Sequence, residues 1–150
     1  MGEKAAFVAR YGGIYEQSPW VAEACWPPPE GLAAAMRAVV DAAPRERKLA
    51  LIRAHPELAS RAKMADASMK EQAGAGLDQC SPAEFEAFQR LNAAYNARFG
   101  FPFIIAVKGL SRADILAAFE ARLANDPETE FATAMAQIHR IAAFRLADLL

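Results

Sequence analysis

The stretch SPAEFEAFQRLNAAYNARFG, residues 81–100, decides the fold class. Ser81 and Glu84 stand at its head with the spacing at which a serine hydroxyl and a glutamate carboxylate satisfy each other's unpaired backbone amides. Pro82 falls at the first helical position, where its missing N–H matters least and its fixed φ already suits a helix. Phe85, Phe88, Leu91 and Tyr95 then recur at intervals of three and four, one inward stripe of a long helix. Gly100 and Pro102 close it.

Working outward from this helix toward the C-terminus, FPFIIAVKG at 101–109 is the one run that looks extended. A lone strand would leave its backbone groups unpaired, so a buried extended segment or loop is expected. Ser111 and Asp114 repeat the capping signal for a helix bearing Ile115, Leu116, Phe119 and Leu123. Asn125-Asp126-Pro127 separates it from a final helix carrying Phe131, Met135, Ile138, Ala142, Leu146 and Leu149.

Toward the N-terminus the punctuation is again that of helices. Pro44 opens a helix with Leu49 and Ile52 that must end near His55, because Pro56 disfavours helical geometry in the residue before it. From Pro56 to Ala67 the pattern weakens, and short turns or loop are expected. Leu32, Met36, Val39 and Val40 form a stripe within 30–43. Ser18 is expected as an N-cap with Pro19 at the first helical position of PWVAEACW, which Pro27-Pro28-Pro29 ends. KAAFVARY is expected to stop at Gly12-Gly13 in the left-handed conformation that glycine tolerates. The expectation is an all-α fold in a single multi-helix domain spanning 1–150.

Composition supports that reading and excludes several classes of function. The chain has 150 residues, 54 % hydrophobic and 23 % charged, enough apolar material for one sizeable core. A net charge of −1 provides no field to recruit a polyanion, so no nucleic acid is expected as partner. Cys25 and Cys80 lie far apart with no metal-ligand spacing, which suits reduced thiols. No apolar run approaches the ~20 residues that cross a bilayer, and MGEKAAFVARYGG lacks a signal-peptide pattern, so no membrane association and a cytoplasmic location are expected.

Few residues are suited to chemistry. His139 falls inside the regular final helix and reads as a structural histidine. His55 stands at a helix end before proline, a fixed corner; it can pair with terminal carbonyls or act as an acid–base group, and spacing alone leaves both open. Ser68-Met69-Lys70-Glu71-Gln72 offers a hydroxyl, a carboxylate and an amide for a small polar ligand, but Ser68 and Glu71 also fit a capping box, the reading the residues by themselves favour. AGAGL at 73–77 has no preceding strand and no following Gly-Lys-Ser/Thr, so it is not a phosphate loop. Phe101 to Val107 reads as core or as backbone able to present amides to a substrate.

Three motifs together carry a specific resemblance: HPELA at 55–59, SMKEQAGAGLD at 68–78 and LNAAYNARFGFPFIIAVKG at 91–109. The chain resembles the 2-oxo-4-hydroxy-4-carboxy-5-ureidoimidazoline (OHCU) decarboxylases, which complete the conversion of urate to allantoin. YGGIYEQSPWVAEACW, EARLAND and IHRIAAFRLADL extend the similarity over nearly the whole chain, although the family often has more polar residues than the ADA at 65–67. The resemblance implies an all-helical homodimer with a small pocket and neither metal nor organic cofactor. It matches His55 to the catalytic histidine and Glu71 to its acidic partner, and from that match Glu71 is expected to orient the imidazole and favour its charged form. It also assigns Pro56, Ser68, Gln72, Phe103, Ile104, Ile105, Ala106 and Val107 as substrate contacts. Two rivals remain at this point: a non-catalytic helical interaction module, and a relative acting on another small ureido or hydroxy acid.

Overall fold

Capping chemistry places the long helices. In a computed structural model describing residues 2–60 and 65–150, Ser81 accepts from the Glu84 amide while Glu84 accepts from the Ser81 amide, and the helix they start runs to Phe99. Ser111 and Asp114 do the same for Arg112–Leu123, and Asp126 caps Pro127–Leu149. In chain order the helices are α1 (Glu3–Tyr11), α2 (Trp20–Ala24), α3 (Leu32–Asp41), α4 (Arg45–Ala54), α5 (Asp66–Gly74), α6 (Pro82–Phe99), α7 (Arg112–Leu123) and α8 (Pro127–Leu149). A 3₁₀ turn at Leu77–Gln79 follows α5, and no strand occurs among the described residues. The fold is all-α, and no described helix is long and apolar enough to cross a membrane.

Helix α8, the longest, meets α3, α4 and α6. Its buried face carries Ala134, Met135, Ile138, Ala142 and Leu146, while Phe131 and Leu149 are half-buried at the ends. The α6 stripe buries Phe88, Leu91 and Tyr95; Phe85, one turn from the exposed cap, is only half-buried. Between α6 and α7 the segment 101–107 runs without regular backbone pairing, as its unpartnered apolar pattern predicts. Phe101 and Phe103 both reach the Tyr95 ring, and Phe103 stacks on Phe119 at 3.9 Å. Burying each such ring contributes roughly 1.5–3 kcal/mol, which pins this irregular segment against the core.

Three local expectations are corrected. Ser18 does not cap α2: its hydroxyl donates to the Glu16 carbonyl, and Pro19 is the capping residue. Gly12 ends α1 at φ −66°, not left-handed; a Cβ there would lie 2.5 Å from the Val8 carbonyl oxygen, so glycine permits a close approach. Ser68 is not an N-cap: α5 starts two residues earlier with Ala65 as its cap, and the Ser68 hydroxyl is used elsewhere. Part of the weak stretch before α5, residues 61–64, lies outside the described residues.

Candidate active site

His55 sits where α4 stops. Pro56 holds its predecessor out of the helical region, and His55 takes φ −75° and ψ 141°. The imidazole is buried, with Nδ1 3.0 Å from the Leu51 carbonyl oxygen. A carbonyl only accepts, so Nδ1 carries the proton and the neutral ring keeps its lone pair on Nε2. Burial is the largest influence on the ring and lowers its pKa below the ordinary histidine value. The Leu51 carbonyl and the charges of Glu16 and Glu71 act in the opposite direction, while Arg145 reinforces the lowering.

A guanidinium reaches the site from the last helix. Arg145 of α8 donates through Nε and Nη2 to both Glu71 oxygens at 2.8 Å, through Nη2 to Glu16 at 2.9 Å, and through Nη1 to the Gly13 carbonyl at 3.0 Å. The Ser68 hydroxyl donates to Glu16 at 2.6 Å and lies 3.1 Å from Arg145 Nη2. Two carboxylates thus share one guanidinium beside His55. Glu71 is not hydrogen-bonded to the imidazole, contrary to the pairing the resemblance implies. It acts on the ring only through space, and the ring's net shift is toward the neutral form.

Gln72 serves the loop that presents His55. Its Oε1 accepts from the Ala59 N–H at 2.9 Å and its Nε2 donates to the Glu57 carbonyl at 3.3 Å. From α6, Asn92 donates to the Leu58 carbonyl and Asn96 to the Glu57 carboxylate. HPELA is therefore held from two helices at once.

These elements enclose a cavity of about 300 Å³ lined by all ten predicted residues: His55, Pro56, Ser68, Glu71, Gln72, Phe103, Ile104, Ile105, Ala106 and Val107. Its size lies at the lower end of the range for small-molecule pockets. Lys70, Lys108, Phe144, Arg145 and Asp148 also line it. Sequence reasoning missed Arg145 and Glu16. Arg145 carried a legible signal, since it stands seven and three residues after Ile138 and Ala142 on the buried face of α8, where an unpaired charge is not tolerated. Glu16, 2 % exposed in a loop, gave none. Among the described residues no three His, Cys, Asp or Glu side chains gather as a metal site.

His139 lies elsewhere, beside a smaller cavity of about 170 Å³ with mainly apolar walls. Its Nδ1 meets the Tyr15 hydroxyl and its Nε2 the Asp41 carboxylate, both at 2.8 Å.

Fold and site define a helical protein with a cavity of small-molecule size, walled by a buried histidine and by a carboxylate–guanidinium cluster. Residues 2–147 match the sequence model of the family described as OHCU decarboxylase. The 2-oxo-4-hydroxy-4-carboxy-5-ureidoimidazoline decarboxylase of Haloferax volcanii is 47 % identical over 148 residues, 95 % of this chain and 88 % of that protein. A crystal structure of (S)-allantoin synthase superposes with a TM-score of 0.79 at 36 % identity over 99 % of this chain, which spans 51 % of the synthase chain. OHCU decarboxylase crystallised in the presence of (S)-allantoin superposes with a TM-score of 0.76 at 23 % identity, covering 99 % of this chain and 98 % of that one, a likeness of fold. The chain belongs to the OHCU decarboxylase family.

Proposed function

We propose that this protein decarboxylates OHCU to (S)-allantoin, with His55 as the acid–base residue. One observation carries the assignment: a buried imidazole whose Nε2 meets no protein partner among the described residues, on the wall of a cavity shared with Ser68, Glu71, Gln72 and the 103–107 segment, with burial holding its pKa below the ordinary histidine value.

In the substrate, one ring carbon bears both the hydroxyl and the departing carboxylate, next to a C=N bond. As the carbon–carboxylate bond breaks, its electron pair forms a double bond to the neighbouring carbon, and the C=N pair moves onto nitrogen, which takes a proton. Loss of the hydroxyl proton then gives the carbonyl, and the neighbouring carbon is protonated. The protein's task is to orient the ring and to move a proton from the hydroxyl to one face of that carbon. Nε2 of neutral His55 is suited to accept that proton and return it. While protonated, the ring is stabilised by the charges of Glu71 and Glu16, of which Arg145 offsets one. Delivery from one side accounts for a single enantiomer.

Pro56, Phe103 and the backbone of Ile104 to Val107 shape and orient the ring site in this reading. Ser68 and Gln72 border it while bracing Glu16 and the HPELA loop. The same reading includes one domain over 1–150, action without metal or organic cofactor, a homodimer and a cytoplasmic location. Light scattering checks the dimer.

The test generates the unstable substrate in place, from urate with urate oxidase and hydroxyisourate hydrolase, and follows optically active allantoin by circular dichroism. Acceleration over spontaneous decay, with one sign of ellipticity, is expected. A trace matching that without the protein contradicts the assignment.

A further inference from the structure

The chain between α6 and α7 makes its contacts with a two-residue period. Phe101 and Phe103 both send their rings to Tyr95. One residue out of phase with them, the Ile104 carbonyl accepts from Arg122 Nη1 at 2.6 Å and the Ala106 N–H donates to Gln137 Oε1 at 2.9 Å. This is the periodicity of extended backbone, in which the N–H and C=O of successive residues point to opposite edges. Arg122 and Gln137 therefore occupy one edge, that of residues 104 and 106. The edge of residues 105 and 107 is left without a strand to pair with. Among the described residues the Ile105 N–H, the Ile105 carbonyl and the Val107 N–H meet no hydrogen-bonding partner, whereas the Val107 carbonyl is taken by the Leu110 N–H; on the held edge the Ile104 N–H and the Ala106 carbonyl, the two outer groups, are likewise unpartnered. Backbone groups away from solvent are nearly always paired, and these belong to residues on the cavity wall.

We infer that Gln137 and Arg122 are positioning residues: by holding the Ile104 carbonyl and the Ala106 N–H they turn the 105/107 edge into the cavity, where two N–H donors flank one carbonyl. That order of groups complements a planar ureido or cyclic-urea group, in which C=O and N–H alternate. The inference rests on the proposed function for the identity of the ligand, and on the hydrogen bonds alone for the hold on the segment.

The two residues differ in what else they do. Arg122 also donates to Glu130, which is fully buried and bonded by Tyr95 and Asn125, and its guanidinium lies 4.3 Å from the Phe103 ring centroid. Its removal would disturb the core. Gln137 is half-buried and makes no other hydrogen bond among the described residues, so it isolates the positioning effect.

The experiment compares wild type with Gln137→Met, which removes the acceptor, and Gln137→Glu, which keeps it. Kinetics are followed in the coupled assay, and backbone amide exchange by NMR with and without (S)-allantoin. Gln137→Met is expected to raise KM about 5- to 10-fold, the worth of one hydrogen bond, with kcat within about twofold. Gln137→Glu is expected to restore the wild-type KM. In wild type the Ala106 amide is protected already in the free protein, and (S)-allantoin slows exchange at Ile105 and Val107. Lowered stability of Gln137→Met with an unchanged KM, or ligand protection at Ala106 in place of its neighbours, overturns the inference. A wild type that neither turns over nor binds (S)-allantoin overturns the functional reading and the ligand-facing half with it. An active wild type with an unaltered Gln137→Met overturns this inference alone.

Discussion

His55 and His139 are buried to the same degree, 8 % and 7 % exposed, and in both burial is the main cause of a pKa below the ordinary histidine value. They differ by one nitrogen. Both ring nitrogens of His139 are committed, one to Tyr15 and one to Asp41, so the ring ties the 14–18 loop and α3 to α8. His55 commits only Nδ1, to its own helix, and leaves Nε2 to the cavity. Desolvation therefore does not separate a structural histidine from a chemical one. What separates them is whether a lone pair remains unspent beside space that a ligand can fill.

The largest expected effect comes from charge, which the His55 region concentrates and the His139 region does not. Arg145→Met leaves Glu16, 2 % exposed, as a buried carboxylate without its cation. A loss of about 3–5 kcal/mol in urea unfolding is expected. A loss under 1 kcal/mol would mean that the cluster is solvated and does not set the site's field.

Next in size is His139→Ala, which strips the Tyr15 hydroxyl of its buried acceptor. About 1–3 kcal/mol of stability should go, again read by urea unfolding. Turnover of the folded protein is expected to stay within about threefold of wild type. A collapse in kcat with intact stability would break the contrast between the two rings.

Acid separates them by dose. Each folded-state pKa lies below the unfolded value of about 6.5, so in that window the unfolded chain binds more protons and stability rises with pH. The urea midpoint should fall on going from pH 7.5 to 5.5, and His139→Gln should remove only its own share of that slope. A flat or rising midpoint on acidification contradicts both shifts. Smallest of all is Asp41→Asn, which neutralises a carboxylate 55 % exposed and should change stability by less than about 1 kcal/mol.

The parts of this molecule legible in the sequence are those decided within one turn of chain. Ser81 with Glu84 and Ser111 with Asp114 needed only neighbours, and each starts a helix where the pattern put it; Asn125-Asp126-Pro127 likewise marks the start of the final helix. Ser68 shows where that logic stops. It has the spacing of a capping box, but Glu16, 52 positions away, and Arg145, 77 positions away, hold its hydroxyl. A buried charge cluster outweighs a cap worth about 1 kcal/mol, and no local rule registers it. Likewise Glu71 was legible as an acidic residue of the site, but its partner was not. The resemblance pairs it with His55, whereas the fold brings a guanidinium from the last helix to both of its oxygens. The unpaired character of 101–107 followed from the absence of a companion strand. Which edge it turns to the cavity depends on Arg122 and Gln137, visible only once α7 and α8 are in place.

The contrast between the two imidazoles is tested most directly by the rate at which optically active allantoin appears with folded His55→Ala and folded His139→Ala side by side. Loss of general acid–base assistance should slow His55→Ala by about 10²-fold or more, toward spontaneous decay, while His139→Ala keeps near wild-type turnover. Equal rates in the two variants, or an unimpaired His55→Ala, would contradict the role assigned to the unspent Nε2.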